Sequence, residues 1–179
     1  TEPFSDQWHD KRNVSEVLAT ADTLKHPESL KAHRASDRAR SLEFLKKSFD
    51  AKQFGGRTFE EMAAELDGGP EIGEWPAAPE TAPGALTVVM DFKTGGFIET
   101  AHIVLIPTDD WTTVPAHLRW GGWNSCPPSE YHVAALRSWR DRYGVELVGM
   151  NFDTLNLRAE RSPRSRDAAL ALAREQYDY

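Results

Sequence analysis

The sequence predicts an α+β fold, a mixed or antiparallel sheet covered by helices and preceded by a helical N-terminal region. Three observations lead there. Before residue 67 apolar residues recur at spacings of three and four behind helix-capping residues; after residue 86 β-branched runs are broken by glycine or Asp-Thr; and a stretch dense in proline and glycine separates the two. The implied organisation is a helical region 1–67, a linker or surface loop 68–85, and an α+β domain 86–179.

Asn13 followed by Glu16 forms a capping box that opens the helix NVSEVLATADTL. Pro27 suits the first turn of a longer helix, PESLKAHRASDRARSLEFLKKSFDAKQF, in which Leu42, Leu45 and Phe49 share a face and which Gly55-Gly56 stops. Thr58 with Glu61 repeats the box and opens FEEMAAELD, where Phe59, Met62, Ala63 and Leu66 align. The segment GGPEIGEWPAAPETAPGA holds four glycines and four prolines, which excludes a helix or a central strand and leaves Ile72 and Trp75 as its apolar anchors.

LTVVMDF and FIETAHIVLI flank KTGG and predict a β-hairpin whose second strand is central, because its apolar residues occupy both parities, and is ended by Pro107. An irregular, aromatic-rich segment, TDDWTTVPAHLRWGGWNSCPP, follows, with Asp109-Asp110 as turn residues. Ser129 then caps a helix that Gly144 terminates in the left-handed conformation. His132, Leu136, Trp139 and Tyr143 form its apolar stripe, away from Arg137, Arg140 and Asp141. VELVGMNF and LNLRAE read as strands around an Asx-type turn at Asp153-Thr154, so that the preceding helix suits a right-handed crossover. Ser162-Pro163 begins a last helix through Tyr177.

Charge excludes one class of partner. The formal charge is −7, with 16 acidic and 11 basic residues through Glu80 and 12 and 10 after it, so no basic footprint for nucleic acid exists in either part. No apolar run reaches the roughly 20 residues a membrane crossing needs, and the first residues lack a secretory signal, so a cytoplasmic protein without membrane contact is expected. Cys126 is the only cysteine, which precludes an intrachain disulfide.

The order of unusual residues from residue 86 onward invites a comparison. Trp120-Gly121-Gly122-Trp123-Asn124, Cys126-Pro127, Trp139 with Tyr143-Gly144, Asp153-Thr154 and Ala173-Arg174-Glu175-Gln176-Tyr177 together resemble the bacterial family known as domain of unknown function 4253. The resemblance implies a shared fold over roughly residues 86–179 and no defined activity.

Two functional readings follow. In the first, the glycine-hinged aromatic loop Arg119, Trp120, Gly121, Gly122, Trp123 and Asn124 binds a protein partner, since tryptophan and arginine dominate interface hot spots and glycine admits close backbone approach. An acidic domain without a catalytic motif fits an immunity-type protein that neutralises a toxin. In the second, a small hydrolase or transferase uses Cys126 as nucleophile, His132 as base and Asp153 in support, in a pocket with Trp120 and Trp123. His102, His117 and His132 could gather with Cys126 and Asp153 around a metal, but their spacing has no local ligand geometry, so neither metal nor cofactor is expected. There is no GxSxG, Walker or GxGxxG motif. The prolines after Cys126 look like a rigid helix entry, which favours a packed cysteine.

Overall fold

The computed structural model describes residues 11–65, 72–74, 86–91, 93–124 and 126–179. They fall into two compact units, Thr1–His33 with Ala85–Tyr179, and Arg34–Gly84. Among the described residues six α-helices and one two-stranded antiparallel sheet establish the α+β class.

The first unit is built around one helix. α1 (Val14–Ala21) begins in the expected capping box: Asn13 Oδ1 accepts from the Glu16 amide while Glu16 Oε2 accepts from the Asn13 amide. It lays Val17 and Ala21 against Ala116 of α4 (Val114–Leu118) and Val133 of α5 (Ser129–Tyr143). Ion pairs bracket the α1–α5 contact, Arg12 to Glu130 at 2.8 Å and Arg137 to Asp22 at 2.6 Å. The other face of α5 buries Leu136 and Trp139 with Val145 of β1 (Val145–Met150), flanked by Leu157 of β2 (Leu155–Ala159), Leu172 of α6 (Arg166–Tyr177) and Tyr179. The predicted stripe His132, Leu136, Trp139, Tyr143 therefore runs along one of the two packed faces of this helix. Gly144 ends α5 at φ 61°, as the sequence indicates.

Several local signals act differently from expectation. Ser129 is the first residue inside α5; Pro128 holds the capping position in extended geometry, which frees Ser129 Oγ to donate to the Trp120 carbonyl at 2.7 Å. The β1–β2 turn is an Asx turn built by Asn151, whose Oδ1 accepts from the Asp153 and Thr154 amides, so Asp153 is not its organiser. α6 starts behind Ser165, whose Oγ accepts from the Ala168 amide, and not at Ser162-Pro163.

The hairpin predicted over 86–106 is not formed among the described residues. Thr87–Val89 is a 3₁₀ turn, and only Met90 and Phe97 make a β-bridge, around a turn in which Asp91 Oδ1 accepts from the Lys93 and Thr94 amides. Ile103 and Leu105, expected in a central strand, are 94% and 93% exposed. β-branched composition supplies only propensity, and a strand is stabilised by cross-strand neighbours that this segment lacks here. Among the described residues no strand precedes α5, so none of them makes it a crossover; the described sheet pairs β1 with β2, with a register shift between Leu147 and Gly149. Asn156 of β2 ties Leu86–Asp91 down, accepting from the Val88 amide and donating to Thr87 Oγ1.

The second unit includes most of α2 (Glu28–Ser48) and α3 (Phe59–Glu65). α2 stops earlier than the sequence suggests, because Asp50 caps a separate 3₁₀ turn, Ala51–Phe54, that Gly55 closes at φ 67°. Phe49 stacks on Phe54 and meets Phe59 edge-on at centroid distances of 5.2 and 5.7 Å. The second capping box is present, and the Thr58 amide and hydroxyl hold the Glu61 carboxyl below its usual range. Of the linker's expected anchors, Ile72 is exposed, and Trp75 and Leu66 of the α3 face lie outside the described residues.

Candidate functional site

The aromatic loop is a tight arch over the start of α5. The Trp120 amide donates to the Pro115 carbonyl, the Gly122 amide reaches the carbonyls of Cys126 and Pro127 at 3.2 and 2.9 Å, and the Cys126 amide returns to Trp123. Gly121 and Gly122 take φ 107° and 82°; a Cβ on Gly121 would lie 2.7 Å from His132 Nε2, whereas a Cβ on Gly122 would meet nothing. Arg119, which ends α4, and Asn124 also hold left-handed conformations, at φ 51° and 49°, which are uncommon outside glycine though asparagine adopts them more readily than most.

This arch splits the predicted binding residues into two sets. Trp120 and Gly121 are buried, and Trp120 Nε1 donates to the Asn151 carbonyl at 2.7 Å, fastening the loop to the β1–β2 turn. Arg119, Gly122 and Asn124 are exposed, with Trp123 half-buried and edge-on to Trp120 at 5.5 Å.

Of the catalytic candidates, Cys126 and His132 do meet. His132 Nε2 lies 3.4 Å from Cys126 Sγ and 2.9 Å from the Pro127 carbonyl, while Nδ1 pairs with the Tyr179 hydroxyl. A carbonyl oxygen can only accept, so Nε2 carries the proton and the lone pair on Nδ1 receives the Tyr179 O–H. The nitrogen facing the thiol is therefore a donor, the reverse of what a base activating that thiol requires. His132 is 1% exposed and boxed by Trp120 at 4.5 Å and Tyr179 at 5.3 Å. Asp153 is exposed in the hairpin turn and accepts from the Thr154 hydroxyl; its carboxylate makes no bond to His132. Among the described residues no group of three or more His, Cys, Asp or Glu is arranged to hold a metal ion.

A second polar cluster, which sequence reasoning passed over, lies behind Trp139. Glu175 of α6 is buried and accepts from His26 Nε2 at 2.9 Å, Trp139 Nε1 at 2.6 Å, and both terminal nitrogens of Arg142. Burial alone would raise the Glu175 carboxyl, but the bonds from Arg142 and Trp139 outweigh it and hold it low. Burial lowers His26 despite the opposing pull of Glu175, and the carboxylate pushes the Arg142 guanidinium higher still. In sequence, Glu175 lies inside the family-like run 173–177, but nothing in that run shows that it alone is buried, because its partners come from distant elements. Tyr179 and Asn151 were missed for the same reason, and Ser129 was read only as a helix cap.

Residues 102–179 match the family model described as Domain of unknown function (DUF4253). This establishes the resemblance over that segment, sixteen residues short of the start at 86 that the motifs suggested. No curated protein and no solved structure matches the chain. No described helix is long and apolar enough to cross a membrane.

Proposed function

We propose that this protein is a non-catalytic protein-binding module whose recognition edge is Arg119, Gly122, Trp123 and Asn124. The observation that carries this reading is the pair of left-handed, non-glycine residues with exposed side chains at the two ends of a loop anchored underneath by Trp120. Such conformations cost on the order of 1 kcal/mol each and persist where surrounding structure imposes them, commonly at recognition sites. A rigid edge loses little conformational entropy when it is covered. The net charge of −7 favours a partner with a basic face. In its finer form the protein is a bacterial, cytoplasmic immunity-type protein and the partner is a toxin.

The enzymatic alternative, a hydrolase or transferase built on Cys126, His132 and Asp153, has less support because His132 Nε2, the nitrogen beside the thiol, carries a proton that it gives to the Pro127 carbonyl and so cannot act there as a base. The two are separated by one pair of measurements. Affinity capture from the native host should recover a stoichiometric partner whose affinity falls about 30-fold in Arg119→Ala or Trp123→Ala, the scale of a hot-spot residue. Folded variants that bind equally well, or no stoichiometric partner at all, overturn the binding reading. Rapid alkylation of Cys126 by iodoacetamide in the native protein at neutral pH would favour the enzyme. For the immunity form, co-expression should protect cells from the captured partner.

A further inference from the structure

The Glu175 cluster binds three elements together and contains one unfilled position. His26, between α1 and α2, has a side chain only 1% exposed, lies edge-on to Trp139 at 5.4 Å, and gives its Nε2 proton to Glu175. Its Nδ1 is buried without a hydrogen-bond partner. Every donor around the carboxylate is already committed: Trp139 and Arg142 from α5, His26 from the α1–α2 connection. A further proton entering this cluster as the pH falls has one vacant nitrogen to occupy, where it finds no acceptor and adds to the positive charge that Arg142 already brings to the cluster.

We propose that His26 and Glu175 form an acid-released latch, which holds α6 and the Tyr179 beyond it against α5 when His26 is neutral and loosens them when it is protonated. Release is transmitted to the aromatic arch, because Tyr179 packs edge-on to Trp139 at 4.9 Å and donates to His132, which supports Trp120. The charged groups facing His26 are Glu175 on α6, Arg142 on α5 and Glu28 on α2. Lys31 of α2 and Asp178, just past α6, approach to 3.6 Å on the exposed surface, where solvent weakens them.

The direction of the pH effect follows from burial. His26 titrates below its ordinary 6.5 in the folded chain, so the unfolded or opened chain takes up the proton first, and stability present above that pH drains as the pH falls through it. Glu175 acts with the same sign in a separate, more acidic window: its contribution is present above 4.5 and is lost as the pH falls through its lowered folded value.

Native-state hydrogen exchange, corrected for intrinsic rates, tests the latch in the intact protein. Between about pH 7.5 and about pH 5.5, α6 amides should lose protection roughly tenfold relative to α1 and β1, the scale of one pH unit of proton linkage. His26→Gln keeps an N–H donor for Glu175 but cannot gain a proton, so its α6 protection should stay flat over that range. Unchanged α6 protection in the wild type, or a parallel fall in His26→Gln, overturns the proposal. Should His26→Gln fail to fold, an imidazole NMR titration of the wild type decides: a His26 that carries its proton on Nε2 when neutral and titrates below the ordinary 6.5 is expected, and ordinary titration near 6.5 refutes it.

Discussion

One added methyl group separates the two central glycines of the aromatic arch. At Gly121 it would overlap the Pro127 carbonyl and the His132 ring on a φ of 107°, and neither neighbour can yield, since both are buried. At Gly122 it would enter open space, leaving only the left-handed backbone strain. Gly121→Ala should therefore destabilise by about 3 kcal/mol or more, and Gly122→Ala by about 1 kcal/mol, in urea unfolding. Equal effects would show that the arch does not press on His132. The sequence revealed a glycine-hinged aromatic loop and a Cys126 beside a helix entry, but not that Trp120 is a fastener and Arg119 an exposed edge. That division depends on the Asn151 carbonyl and Pro127, groups brought close only by folding.

Elements were legible in proportion to how local their causes are. Both capping boxes, the span of α5 and its Gly144 stop follow from contacts within a few residues, and each is present. Strand pairing is set by remote neighbours, so LTVVMDF and FIETAHIVLI, with suitable composition, form one bridge, whereas VELVGMNF and LNLRAE pair around a strong local turn. That turn belongs to Asn151: Asn151→Ala removes the acceptor of two amides and should cost about 1–2 kcal/mol, with increased exchange at Asp153 and Thr154. Asp153→Ala, which leaves both bonds in place, should change stability by less than about 0.5 kcal/mol.

For the whole molecule, the family match and the physical unit have different boundaries. The match covers 102–179, yet the core it contains is closed by Val17 and Ala21 of α1, and Glu175 by His26. A fragment of residues 102–179 should consequently lack the cooperative thermal transition expected of the first unit in the intact chain; a cooperatively folding fragment would mean that α1 is dispensable. The sequence divided the chain by composition, at the proline- and glycine-rich stretch, and composition does not report which distant helix fills a gap between α4 and α5.

The uncovered run around Ile103 and Leu105 also has a colloidal consequence. Five successive residues, His102 to Ile106, carry no fixed charge when the histidine is neutral, contain no proline and favour extended backbone. Chains brought close together can stack such runs in register, and the net negative charge opposes this only until salt screens it. Concentrated samples should thus become thioflavin-positive faster as ionic strength rises, and Ile103→Lys should lengthen the lag severalfold without altering the thermal transition, because that side chain supports nothing in the folded core.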